Sequence, residues 1–441
     1  MPVPNSISAT QGELSGEQAF EDVAEGGNRP SAGEPLLALA SSVWRQILAP
    51  EWYLSTYPDV AEAGLPAWEH FQMYGMAEGR NPHPLFHVAD YRARHLQGSP
   101  EDPAEHYLWT GARLGLDPHP LFDTQWYVSQ HPVLAQWGEN PLLHFISRHG
   151  TDWKVFLPAI VEKIEAILHA PDSWPPDMEP QQEAGIVVSG CGRLFRPLYA
   201  NLLNIRETGC DLPIEVWHLP GEFNVRQKAA LHSLARLVET GDSPFSGLSG
   251  RHEVHGFKAW MLSQSRFGKT LMLDVNSFPL QDVRKIFHSE HPAILWCDGP
   301  WECAAARTGP LRDALGVPVR PTEFESGQLY VNKFDARIRT ALRLAAALNS
   351  LGQRLYAYTY GDKETYALAL DLLEVAFITA PAPERASHAA SLRLNSGVLQ
   401  PWLDDTPLFY HPLDDRDSWW HYRPEWIKLE QTAREMDEAC Q

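Results

Sequence analysis

Apolar and aromatic positions between residues 44 and 150 come in short blocks, and the blocks repeat. Asn81-Pro-His-Pro-Leu-Phe86 returns 36 residues later as Asp117-Pro-His-Pro-Leu-Phe122. His70-Phe71 returns at the same offset as His106-Tyr107, and again as His144-Phe145. Trp52-Tyr53, Tyr91 and Trp126-Tyr127 open the units, and Gly75, Gly111 and Gly150 read as the residues that close a helix in each. A near-fixed period of this length predicts one supersecondary unit used three times, stacked so that neighbours bury a shared face. Each unit reads as two short helices followed by a Pro-rich turn. The repeated histidines suit a metal site or plain packing. An aromatic beside each one favours packing, and the module reads as a spacer or a docking element for a protein partner.

Residues 1–40, rich in Gly, Ser, Glu and Pro with almost no aromatics, read as disordered. Residues 151–183 read as a connecting helix and a Pro-rich acidic linker. From residue 184 to 441 the pattern becomes alternating strands and helices. Short apolar runs at Gly185–Ser189, Pro213–Leu219, Lys269–Leu273 and Ala293–Trp296 predict buried strands, with helices after the first two. That alternation predicts an α/β domain with a mostly parallel sheet and helices on both faces. In such sheets ligands bind outside the carboxyl ends of the strands. Gly190–Arg193, Asp274–Asn276 and Asp298 would share that edge.

Composition narrows the picture. The net charge is −20, from 56 acidic and 36 basic residues, which sets nucleic acid aside as the main partner. Cys191, Cys210, Cys297, Cys303 and Cys440 form no CxxC pair and are odd in number, so neither a zinc site nor a disulfide framework is indicated. The start of the chain has no basic segment and no apolar core, so it does not read as a secretory signal. A cytoplasmic location is the simplest reading, with peripheral association at the inner membrane left open.

Several residue groups suit chemistry. Gly190-Cys-Gly192 with Arg193, after the first strand, suits an anion at a helix N-terminus or a tight turn. Asp274 and Asn276, ending a buried strand, suit a hard divalent cation or a turn cap. Glu325-Ser326-Gly327-Gln328 suits the reading of sugar hydroxyls or a polar loop entering a strand. Gly361-Asp362-Lys363 opens a helix, and Asp362 reads as its cap, with Thr365 in the first turn.

Together, SGCGRLF, LPIEVWHL, FKAWMLSQSRFGKTLMLDVN, WCD, FESGQLYVNK, YGDKETY and PLFYH, in that order, resemble the mannosyltransferase family related to fungal Golgi α-mannosyltransferases. The resemblance runs over about residues 184–412, and the upstream repeats resemble modules found ahead of bacterial glycosyltransferases. It implies a GT-A-like fold and transfer of an α-linked sugar, with retention, from a nucleotide-sugar donor. GDP-mannose is the implied donor, Mn²⁺ or Mg²⁺ the implied metal, and a glycan or lipid-linked saccharide the acceptor. Lys258, Asp274, Ser326, Gly327, Gly361 and Lys363 would then face the donor, with Lys363 on its phosphates. Asp362, Glu325 and Gln328 would lie at the reacting sugars, and Asp274, Asn276 and His411 at the metal. Asn276 and Tyr360 stand where the family has Asp and His. Those two changes favour the alternative of a non-catalytic glycan- or nucleotide-binding protein that has kept the fold, and an interaction scaffold led by the repeats is a third reading.

Overall fold

The computed structural model describes residues 43–96, 98–134, 138–190, 192–241, 251–298, 308–359, 361–386, 397–412 and 423–441. Residues 1–40, where disorder is expected, lie outside that range, as do Cys191, Cys303 and Tyr360. The chain divides into two compact units, residues 1–159 and 160–441.

In the first unit the period becomes a repeated hydrogen bond. Tyr53, Tyr91 and Tyr127 are fully buried, and each hydroxyl meets a histidine Nδ1, of His70 at 3.1 Å, His106 at 2.8 Å and His144 at 2.9 Å. Gly75 and Gly111 are the last residues of π-helical segments, Phe71–Gly75 and Tyr107–Gly111, and a Cβ there would lie 2.5 and 2.1 Å from a tyrosine hydroxyl. The left-handed backbone follows a few residues later, at Gly79 and Gly115, whose φ angles of 68° and 70° favour glycine. Gly150 does follow its helix, Pro141–His149, with φ 57°. The histidines of the Pro-His-Pro turns brace those turns: His83 and His119 Nδ1 accept the N–H of Leu85 and Leu121. Burial pushes His83 down to about 4, so it stays a neutral acceptor there.

The second unit is an α/β domain built on a seven-stranded sheet of order β3-β2-β1-β4-β7-β6-β8. These are β1 (Gln182–Ser189), β2 (Ile214–His218), β3 (Arg236–Glu239), β4 (Phe267–Leu273), β6 (Ala293–Cys297), β7 (Phe324–Asn332) and β8 (Ile378–Thr379). All pairs are parallel except those of β7, which runs antiparallel to β4 and β6. A small second sheet, β5-β11-β10-β9, joins β5 (Phe278–Pro279), β9 (Glu384–Ala386), β10 (Gly397–Pro401) and β11 (Pro407–Pro412).

The apolar runs are strands because both faces are covered. Ile186, Val188, Leu271 and Leu273 pack with helix Phe195–Glu207 and helix Pro424–Cys440 in one core, each contributing about 1.5–3 kcal/mol by burial. Alternate residues face the other side, where Met272 meets Tyr366 of helix Lys363–Leu372. Helices Arg251–Gln264 and Ala336–Asn349 pack against each other, and the latter against Lys363–Leu372. Among the described residues no helix is long and apolar enough to cross a membrane.

Candidate functional site

Because β7 is antiparallel to its neighbours, its first residues lie at the edge where β4 and β6 end. That edge collects Asp274 after β4, Asp298 after β6, Glu323–Gln328 at the start of β7, and the first turn of helix Lys363–Leu372. The register on β6 jumps from Leu295 opposite Leu329 to Trp296 opposite Glu325, so Ser326, Gly327 and Gln328 bulge away from β6. A bulge of this kind re-aims side chains, here at the sheet edge. Gly327 is required there: a Cβ would lie 2.6 Å from the His411 ring carried in by β11.

The turn after β4 is held from below. Asn201, buried within helix Phe195–Glu207, donates its Nδ2 to the carbonyls of Val275 at 3.2 Å and Ser277 at 2.9 Å. The Asp274 N–H is bound to the Gly327 carbonyl at 2.8 Å, which ties the turn to the bulge. Lys258 Nζ spans the Asp274 carboxylate, 2.7 Å from one oxygen and 2.8 Å from the other. Burial opposes the Lys258 charge, but Asp274, Asp362 and Glu325 outweigh it and raise its pKa. Glu325 is pushed up, chiefly by burial; its Oε1 accepts the Gly327 N–H at 2.8 Å and lies 4.0 Å from His411 Nδ1.

The first turn of helix Lys363–Leu372 meets this edge residue by residue. Gly361 takes φ 75°, which turns the chain into the helix. Asp362 stands at the N-cap, yet its side chain makes no capping bond. Its backbone carbonyl instead accepts the Thr365 N–H and hydroxyl. The carboxylate, 4% exposed, receives the Ser326 hydroxyl at 3.5 Å on Oδ1, while Oδ2 has no hydrogen-bond partner among the described residues. Lys363 is paired with Asp298 and, at 2.9 Å, with Glu323. Glu364 accepts the Phe324 N–H at 2.8 Å.

Several expectations change. The capping role of Asp362 is absent, because the backbone carbonyl takes it over and frees the carboxylate. Lys363 does not stand free for a phosphate, because two carboxylates hold it. Gln328 is fully buried, and its Oε1 accepts the Ser277 hydroxyl at 3.0 Å, which braces the turn, while its Nε2 has no hydrogen-bond partner among the described residues. The glycines after β1 serve packing. The Gly190 N–H is bound to the Trp217 carbonyl and the Gly192 N–H to Glu222 Oε2 at 3.0 Å, so neither cradles an anion. A Cβ on Gly192 would strike the Glu222 carbonyl oxygen at 2.0 Å. Arg193 is exposed on that turn.

A divalent cation fits the edge by charge. Asp274, Asp298, Glu323, Glu325 and Asp362 face two lysines, Lys258 and Lys363, and the His411 Nδ1 is buried without a hydrogen-bond partner among the described residues. Asn276, 5% exposed, lies in the turn after Asp274 and offers a neutral oxygen. No three His, Cys, Asp or Glu side chains group as a metal cage among the described residues, so an amide would have to complete any set of Asp274 and His411. Glu323, Glu364 and Asn201 were not singled out from the sequence. Only the two asparagines on an otherwise apolar helix face, Asn201 and Asn204, left a signal there.

Residues 183–296 match the family model described as "Mannosyltransferase putative". The pattern recognised is that of a transferase, and the motif-based resemblance holds over these residues, which include Lys258, Asp274 and Asn276. A comparison with curated proteins returns no match. Among solved structures, the galactosyltransferase LgtC in complex with donor and acceptor sugar analogues aligns at 12% identity over 56% of this chain and 95% of that one, TM-score 0.38. The bifunctional glycosyltransferase WbbM aligns at 10% identity and TM-score 0.31, over 45% of this chain and 38% of its own. The glycosyltransferase GlyE of Streptococcus pneumoniae aligns at 13% identity and TM-score 0.33, over 58% and 64%. At such TM-scores these likenesses carry no argument about substrate or site.

Proposed function

We propose that the chain is a glycosyltransferase that moves a sugar, mannose in the first instance, from a nucleotide-sugar donor to a glycan or lipid-linked saccharide, with retention. The observation that carries the proposal is Asp362. A buried carboxylate at a helix N-terminus ordinarily caps it, and here one oxygen is left unpartnered beside Lys258 and Asp274, within reach of a segment that matches a transferase family. Leaving such an atom without a partner costs about 1–3 kcal/mol, which a donor hydroxyl would recover.

In this reading Lys258 meets the donor's diphosphate while staying charged through Asp274. Asp362 and Glu325 orient the sugar, and Ser326 holds Asp362 in place. The bond from C1 to the diphosphate oxygen breaks, the acceptor oxygen bonds to C1, and the acceptor proton passes to the departing phosphate. Orientation and charge stabilisation supply the acceleration, without a strong general base. Mn²⁺ or Mg²⁺, held by Asp274, Asn276 and His411, would neutralise charge on the leaving diphosphate.

The test is incubation with GDP-mannose and UDP-glucose, with and without Mn²⁺, reading both nucleoside diphosphate release and sugar transfer. One donor consumed supports the proposal and names the sugar. Neither transfer nor hydrolysis from any nucleotide sugar across a wider panel would overturn it in favour of the non-catalytic alternative.

A further inference from the structure

Glu364 ties together two elements that the proposed reaction needs in register, and it does so from outside the groups that face the substrate. Its carboxylate is 1% exposed, and its Oε1 accepts the backbone N–H of Phe324, 40 residues earlier, at 2.8 Å. Phe324 is the first residue of β7 and directly precedes Glu325, whereas Glu364 sits in the helical turn that begins beside Asp362. The bond therefore joins the start of the bulge to the helix that carries Asp362. Behind Glu364, Arg312 lies 3.9 Å from its Oε2 and is itself anchored to Asp371 at 2.6 Å and to the Pro318 carbonyl at 3.1 Å. Arg320 holds the same Asp371. The carboxylate is thus backed by a guanidinium that cannot easily move away.

Burying an acid here is costly compared with a well-packed apolar side chain. Backbone pairing does not require it either: the Phe324 N–H stands at the point where the β6–β7 ladder ends, at Cys297 opposite Phe324. What the carboxylate adds is a fixed separation between β7 and the helix. We infer that Glu364 is a positioning residue for sugar transfer: it clamps the Phe324 amide so that Glu325 and Asp362 present their carboxylates to one donor. This rests on the proposed function, and it assigns the role to the acceptor oxygen of Glu364 and not to its charge.

The test compares Glu364→Gln, which keeps an oxygen acceptor of the same shape, with Glu364→Ala, which removes it. The Gln variant should keep kcat within about twofold, and the Ala variant should lose about 10–100-fold in kcat with the donor KM little changed, the size expected for misplacement of reacting groups. Hydrogen exchange over residues 322–330 supplies a readout that does not need turnover. Exchange at the Phe324 amide should be as slow in the Gln variant as in the native protein, and at least tenfold faster in the Ala variant. If both variants match the native protein in exchange and rate, or both lose activity alike, the positioning role is overturned. If the native protein transfers no sugar at all, the proposed function fails on its own, and the exchange comparison still decides whether the clamp exists.

Discussion

In the repeat unit, Tyr53, Tyr91 and Tyr127 each bury a hydroxyl against a histidine nitrogen at 2.8–3.1 Å. At the sheet edge, Asp362 buries a carboxylate and leaves one oxygen unpartnered among the described residues, beside four further acids and two lysines. Both regions place polar atoms where water is scarce, but the repeated tyrosine–histidine pairs satisfy one another. Each repeated pair is satisfied by its own unit, which is what a scaffold needs. The edge is short of partners in a way that a ligand with hydroxyls and a cation would complete. Repetition of a polar residue therefore points to packing here, and incompleteness points to chemistry.

The largest effect should come from removing the unsatisfied charge. Asp362→Asn keeps the shape and the Ser326 contact but loses the carboxylate, and kcat should fall about 10²–10³-fold while the thermal midpoint stays close to native. Nucleoside diphosphate release from the accepted donor measures the first and calorimetry the second. Full activity in this variant would remove the contrast between the two regions, because the unpartnered oxygen would then have no task.

Next in size is the pH dependence that Glu364 contributes. Burial pushes its pKa from 4.5 up to about 7, so the folded state binds a proton that the unfolded chain has already lost. Stability therefore falls as pH rises between about 4.5 and 7, by about 3 kcal/mol at most. Glu364→Gln should flatten urea-unfolding midpoints across that range and be more stable than the native protein at pH 8. An unchanged slope would mean that the carboxylate is ionised in the fold. A smaller change is expected from Gly111→Ala in the repeat unit, about 2 kcal/mol from the clash with the Tyr91 hydroxyl, read by denaturant unfolding, with kcat per folded molecule unaltered.

These residues also mark how far the sequence could be read. Strands β1, β2, β4 and β6 were legible because a strand covered on both faces is a run of apolar residues. Strand β3, Arg-Leu-Val-Glu at a half-exposed edge, has no such run, and the small sheet β5-β11-β10-β9 is assembled from pieces of two to six residues. Glu325–Gln328 suit a polar loop entering a strand, yet they belong to β7 itself, with Ser326, Gly327 and Gln328 as its bulge. At the site, Asp274, Asp362 and Glu325 could be named from local motifs. Glu364 could not, since its partner lies 40 residues away and its helix position looks like any acidic first turn. The reading of Asp362 as a cap failed for a related reason: the N-cap signal describes a residue type, while the carboxylate is drawn off by Ser326 and the charge of Lys258.

The smallest predicted effect bears most directly on the repeat unit. Arg148 donates to His144 Nε2 at 2.7 Å, so the ring proton sits on Nδ1 and is donated to the Tyr127 hydroxyl. Burial, then the Arg148 charge, lowers the His144 pKa and keeps the ring neutral. Tyr127→Phe should leave that N–H without a partner and cost about 1 kcal/mol, and combining it with His144→Leu should recover much of the loss, because both polar groups then disappear together. Sugar transfer per folded molecule should be the same in all three proteins. A Tyr127→Phe protein that unfolds like the native one but transfers sugar more slowly would show that this pair is not mere packing. The repeated histidines would then have to be counted with the unsatisfied groups of the sheet edge, and repetition alone would no longer separate scaffold from site.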